Sequence, residues 1–146
     1  MTRGILGIGV CTLDVLTQVR SFPETESVEE AESSQLMGGG PVPTALAAAS
    51  KLGTPVAMMD TLGDDWRSKT IIDELNRLGI DCDRIIIEPG SKASLASVLI
   101  RQSDGARAIR FVKSTSNPIS KDLITEELIS GHHIIHCNGR HLDACL

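Results

Sequence analysis

Two features of this chain are suited to holding a small polar molecule: the carboxylate of Asp14, and the run Gly38-Gly39-Gly40, which feeds through Pro41-Val42-Pro43-Thr44 into an alanine-rich stretch ending at Leu52-Gly53. A carboxylate accepts hydrogen bonds from two hydroxyls at once. Glycine backbone, having no Cβ, tolerates positive φ and lets N–H groups approach a ligand closely. A helix opening directly after the glycines adds partial positive charge at the same place. The ligand this combination suits is oxygen-rich or anionic. With Gly63-Asp64-Asp65 able to reach the same sheet edge, the pattern is the chemistry of sugar recognition.

Each of these residues also has a plainer use. Three glycines before a helix can be a tight turn, with Pro41 and Pro43 in a first helical turn where a missing N–H costs nothing and Gly53 as the left-handed stop. Asp14 at a strand exit can bond nearby backbone N–H groups, and Gly-Asp-Asp before an amphipathic segment is explained by helix capping. Arg101, Arg107 and Arg110 read as a solvated face from which one could reach a substrate phosphate.

The elements that must position these residues alternate between strand and helix. Residues 4–10 form a glycine-laced apolar run suited to a buried first strand, and 15–20 a short second one. The acidic stretch 24–32 reads as solvated. A helix is expected over about 43–52, a buried strand over 56–59 ending at Asp60-Thr61-Leu62-Gly63, and a helix whose inner face is Ile71, Leu75 and Leu78, stopped by Gly79. A short strand follows at Ile80 and 84–87. Residues 94–101 and 106–112 flank Ser103-Asp104-Gly105, a hairpin signal. A helix over 120–130 with Leu123, Ile124 and Leu128 inward, then a buried strand over 132–137, complete the series. This alternation predicts an α/β fold with a parallel sheet and ligands at the carboxyl ends of its strands, while the antiparallel pieces near 15–36 and 94–112 form a small flap.

Composition removes several function classes. The chain has 146 residues, 41% hydrophobic and 23% charged, with net charge -5. That suffices for one globular domain with a core. With no basic stripe, two Phe, one Trp and no Tyr, it is poorly equipped to bind nucleic acid. Cys11, Cys82, Cys137 and Cys145 are scattered without a Cys-x-x-Cys pair, as expected of reduced thiols in a cytoplasmic protein, most of them buried as small apolar residues. Arg3 and the apolar run to Leu13 imitate a leader, but Asp14 interrupts them and no cleavage site follows. No apolar run reaches membrane-spanning length, so no membrane partner is expected. His132, His133, His136 and His141 cluster near the end, but their spacing on a strand argues against a metal site and for strand-end and core hydrogen bonds.

In order and spacing the chain resembles the ribokinase, or PfkB-type, carbohydrate kinase family. The resemblance runs from Gly7-Ile8-Gly9 with Asp14 and Phe22-Pro23, through Gly38-Gly39-Gly40-Pro41, Ala45 and Leu52-Gly53, to Gly63-Asp64-Asp65, Leu78-Gly79-Ile80, Asp104-Gly105-Ala106-Arg107 and Ile135-His136. It implies a ribokinase-like fold, a mostly parallel Rossmann-type sheet with flanking helices plus a small antiparallel β flap. It also implies that Asp14, Gly38, Gly39 and Gly40 hold sugar hydroxyls under that flap. The family's usual asparagine is replaced by Thr44, which keeps a hydroxyl with shorter reach, and its carboxylate near residue 138 is replaced by Asn138 beside Arg140. Asn138 and Arg140 are therefore further candidates for sugar contacts.

The family's chemistry uses a later Gly-x-Gly-Asp segment, whose aspartate is the general base and whose N–H groups cradle the transferring phosphate. No such segment occurs in residues 1–146, which by resemblance form the amino-terminal half of a kinase domain. The expectation is that ATP and Mg2+ serve the full-length protein through the carboxy-terminal nucleotide half, that no catalytic residue or metal ligand lies in this chain, and that it is inactive alone. Two other classes stay open: a non-catalytic sugar-binding or regulatory module, and a dinucleotide-binding Rossmann domain raised by Gly7-x-Gly9, whose third fingerprint position is Thr12. A sheet ending after its fourth core strand exposes an edge and apolar helix faces, which predicts a homo-oligomer through the flap or that edge.

Overall fold

The glycine-laced opening becomes the middle of a sheet because a helix lies directly on it. The computed structural model describes residues 4–146, so Arg3 lies outside the described residues. Strand β1 (Ile5–Ile8) pairs in parallel with β4 (Val56–Gly63) on one side and β8 (Ile134–Cys137) on the other, and β5 (Asp81–Glu88) adds beyond β4, giving the order β5-β4-β1-β8. Helix α1 (Pro41–Lys51) packs so close that a Cβ on Gly7 would lie 2.6 Å from both Val42 and Leu46. Gly7 and Gly9 are therefore spacers for helix packing. Beyond Gly9 the chain enters strand β2, not a helix, which removes the helix N-terminus a dinucleotide fingerprint requires.

Side chains alternate across this sheet. Val56, Met58 and Leu62 meet Val42 and Leu46 of α1 and Ile71 and Leu75 of α2 (Trp66–Arg77). Leu6, Ile8, Ala57 and Met59 face Ile119, Leu128 of α3 (Glu126–Ser130) and Ala144 of α4 (Leu142–Cys145). Every residue of β4 is buried, as suits a central parallel strand. Asp65 caps α2 by accepting from the Ser68 N–H at 3.1 Å, and Gly79 ends that region at φ 73°.

The second sheet is the expected flap, of order β3-β2-β6-β7, built from β2 (Thr12–Val19), β3 (Ser33–Gly39), β6 (Ser94–Arg101) and β7 (Arg107–Val112). It is mixed, because its outer pairs are antiparallel while its central pair, β2 with β6, is parallel. Residues 24–32 are exposed, as their acidity suggests.

Four expectations need correction. Gly38 and Gly39 belong to β3, paired with Leu13 and Thr12, so only Gly40 is a turn residue, at φ 106°. The helix expected over 120–130 is split into a 3-10 turn (Lys121–Leu123) and α3, because Ser120 and Thr125 each cap a new start and leave Ile124 non-helical; Leu123 is exposed. Strand β8 is not buried throughout: it lies at the sheet edge and Ile134 is 55% exposed. Among the cysteines Cys11 is buried, but Cys137 is exposed.

Candidate functional site

The carboxyl ends of β1, β4 and β8 and the start of β2 converge on one place, and neighbouring contacts link most of the candidate residues around it. Asp14 sits on β2, directly across from Met37 of β3. Its Oδ1 accepts from the Thr12 hydroxyl at 2.8 Å, and its Oδ2 occupies the space a Cβ on Gly39 would need, 2.2 Å from that point. Gly39 is thus glycine to admit the carboxylate. Gly40 is glycine for two reasons: its positive φ, and the Val10 carbonyl oxygen 2.2 Å from where its Cβ would be. Next in the ring is Gly9, whose Cβ position lies 2.9 Å from Asn138 Oδ1. Asn138 caps a 3-10 turn (Gly139–His141) by accepting from the Arg140 N–H at 3.3 Å.

The ring closes at a residue that sequence reasoning missed. Asp60, fully buried on β4, accepts from the Cys11 N–H at 2.7 Å, the Thr61 N–H at 2.8 Å, Arg140 Nε at 3.3 Å and His141 Nε2 at 2.8 Å. His141 Nδ1 accepts from the Ile119 N–H at 3.0 Å. The imidazole proton therefore sits on Nε2, and the ring is neutral. Arg140 Nη2 donates to the Ser116 hydroxyl at 3.0 Å and approaches the Ser116 carbonyl at 3.4 Å. Burial, and then the Asp60 carboxylate beside it, push the Cys11 thiol well up. The available signal was an aspartate inside Val-Ala-Met-Met-Asp-Thr-Leu: a buried strand cannot hold a carboxylate without partners.

Gly38 and Thr44 fall elsewhere. Adjacent strand residues face opposite sides, and Gly38 faces α2, where its N–H donates to Glu74 Oε2 at 2.5 Å. That N–H is spent on the protein. Thr44 is exposed on α1 and lines, with Gly38, Met37 and Glu74, a cleft of about 200 Å3 between β3, α1 and α2. Gly63, Asp64 and Asp65 serve local structure: Gly63 N–H donates to Ser68 Oγ, Asp64 accepts from Gly90, and Asp65 caps α2. A larger cleft of about 490 Å3 lies against β8 and α4, lined mostly by apolar groups such as Ile8, Ile124, Ile135 and Leu146, and offers few fixed donors for a polyol.

The start of α1 is a poor anion site despite its glycines. Pro41 and Pro43 have no N–H and the Thr44 N–H bonds Gly40 O, which leaves Val42 as the one donor of the first turn. Among the described residues no group of three or more His, Cys, Asp or Glu is placed to hold a metal. Among the described residues no helix is long and apolar enough to cross a membrane. The start of α1 therefore does not supply a cradle of N–H groups for a phosphate.

Comparison with known proteins identifies a family and a fold. The profile of the pfkB family carbohydrate kinases matches residues 3–145. Ribokinase of Bacillus subtilis is 27% identical over 118 residues, covering 81% of this chain and 40% of that protein. Probable fructokinase-2 of Arabidopsis thaliana is 33% identical over 121 residues, covering 79% of this chain and 36% of that protein. The structure of Arabidopsis thaliana ribokinase complexed with ribose and ATP superposes with TM-score 0.75 at 22% identity, over 94% of this chain and 45% of that one. The chain spans less than half the length of these relatives.

Proposed function

This chain belongs to the pfkB family of carbohydrate kinases, and on that footing we propose that it is the sugar-binding part of an enzyme that phosphorylates a sugar hydroxyl with ATP. The observation that carries the reading is Asp14: a half-buried carboxylate with one side-chain donor, Thr12, fitted against a glycine that leaves it room. A carboxylate has about four acceptor sites, so Asp14 keeps capacity for two sugar hydroxyls. Around it the Gly39–Gly40 backbone, the Asn138 amide and Arg140 supply further polar contacts, and the β3-β2-β6-β7 sheet forms the flap over them. Gly38 contributes space and register; Thr44 stands outside this set.

ATP and Mg2+ enter the reaction through protein that the relatives have and this chain does not span, and ATP supplies the phosphoryl group when bound. The chain's own residues bind the sugar, orient its hydroxyls and, with the flap, exclude water. Self-association through the apolar flap residues Leu36, Met37, Phe111 and Val112, all exposed, belongs to the same reading.

Calorimetric titration of the purified chain with ribose and with fructose, beside an assay for ADP release from ATP, tests the proposal. Expected are saturable binding of at least one sugar, its loss in Asp14→Ala, and no ADP release. Absence of saturable binding by both sugars, or binding unchanged in Asp14→Ala, contradicts it.

A further inference from the structure

Asp60 is fully buried with four donors on its carboxylate, so it is out of a ligand's reach, yet it touches every element that builds the floor of the site. Its carboxylate takes one donor from the β1–β2 turn, one from its own strand and two from the turn after β8. We propose that Asp60 is a positioning residue of the sugar site, holding Arg140 as a charge-compensated donor whose remaining Nη1 group binds a neutral sugar hydroxyl. This inference rests on the sugar-site reading above and sharpens it.

The geometry behind it is that of a planar fork. A guanidinium carries five N–H groups in one rigid plane. Asp60 takes Nε and Ser116 takes Nη2, so the direction of Nη1 is fixed while Nη1 itself has no partner among the described residues. The Arg140 side chain keeps 16% exposure, enough for a ligand to reach it. Ser116 is itself tied down, since its hydroxyl donates to the Thr61 carbonyl at 2.7 Å. His141, neutral and anchored on Ile119, braces Asp60 from the other side.

Charge decides what Nη1 recognises. The carboxylate of Asp60 cancels the guanidinium, His141 adds no charge, and Asp14 leaves the ring net negative. A phosphorylated sugar is therefore disfavoured and a neutral one accepted. Replacing Asp60 by Asn removes the compensating charge and loosens the fork, so the neutral sugar binds more weakly and an anionic one gains relative to it.

The test is a double-mutant cycle on the full chain, titrating wild type, Asp60→Asn, Arg140→Ala and the double variant with ribose, ribose 5-phosphate, fructose and fructose 1-phosphate. Expected for Asp60→Asn is about fivefold weaker binding of the neutral sugar and a relative shift toward the phosphate ester; in the Arg140→Ala background the same change costs less than about twofold. If circular dichroism shows Asp60→Asn unfolded, Ser116→Ala, which frees Nη2, takes its place, with a loss of about twofold to threefold that again vanishes without Arg140. Unchanged affinity and preference in the single variant, or losses that multiply in the double one, overturn the inference while leaving the sugar site intact. Failure of the wild type to bind either sugar overturns the sugar site itself.

Discussion

Two aspartates in different sheets, Asp60 on β4 and Asp14 on β2, are held in opposite ways. Asp60 on β4 is buried and saturated, with donors from the β1–β2 turn, its own strand, Arg140 and His141. Asp14 on β2 is half-buried, holds one side-chain donor, and has a glycine cleared away beside it. A buried carboxylate is stable only when its lone pairs are filled, so filling marks a structural post, whereas spare capacity is what the proposed sugar site draws on. The difference also separates two layers: a parallel sheet that holds Asp60 in place, and a mixed sheet in which Asp14 keeps acceptor capacity.

The largest expected effect comes from removing the post. Asp60→Ala leaves Arg140 Nε, His141 Nε2 and the Cys11 and Thr61 N–H groups without their acceptor, and urea unfolding should register a loss of about 3–5 kcal/mol. Asp14→Ala should change stability by less than about 1 kcal/mol yet weaken sugar binding about tenfold or more, the worth of hydrogen bonds to a charged group. Equal stability losses in the two variants would erase the distinction.

Gly39→Ala sharpens it further. The new Cβ lands 2.2 Å from Asp14 Oδ2, and a carboxylate at the end of a side chain can swing away. Affinity should fall by about fivefold while unfolding free energy moves by under about 1 kcal/mol. A stable variant binding sugar as tightly as the wild type would show that the position of the carboxylate is irrelevant.

The smallest effect lies at the flap's tip. Arg101 donates to Asp104 at 2.6 Å, and that hydrogen bond, with one from the Ala106 N–H, holds the exposed Asp104 carboxyl at about 2. Because the folded value lies below the ordinary aspartate value of about 3.9, the contribution is present above about pH 4 and disappears as pH falls through about 2. An NMR titration of the Asp104 carboxyl should show this midpoint, and Arg101→Ala should raise it toward 3.9, with sugar affinity untouched near neutral pH.

Local chemistry made most of the fold legible. Asp104-Gly105 announced the β6–β7 hairpin, Gly53 and Gly79 ended their helices at positive φ, and Asp65 capped α2 as its place before the amphipathic stretch suggested. Long-range pairing was not legible. Gly38 and Gly39 look like a turn in sequence and become strand because Leu13 and Thr12 lie across from them. Ser120 and Thr125 each compete to start a helix, and no periodicity count reveals that both succeed. For the proposed site, residue type singled out Asp14 and its order relative to the glycines. It could not reveal that Gly38 spends its N–H on Glu74, 36 positions away, or that Arg140 and His141 meet Asp60 across 80 and 81 positions.

The most direct measurement is an amide NMR titration of the chain with ribose and fructose. The account predicts that the signals moved most by sugar belong to Asp14, Gly39, Gly40, Asn138 and Arg140, with Thr44 and Gly105 still. Shifts centred instead on Thr44, Gly38 and Glu74, or spread without a focus, would contradict it.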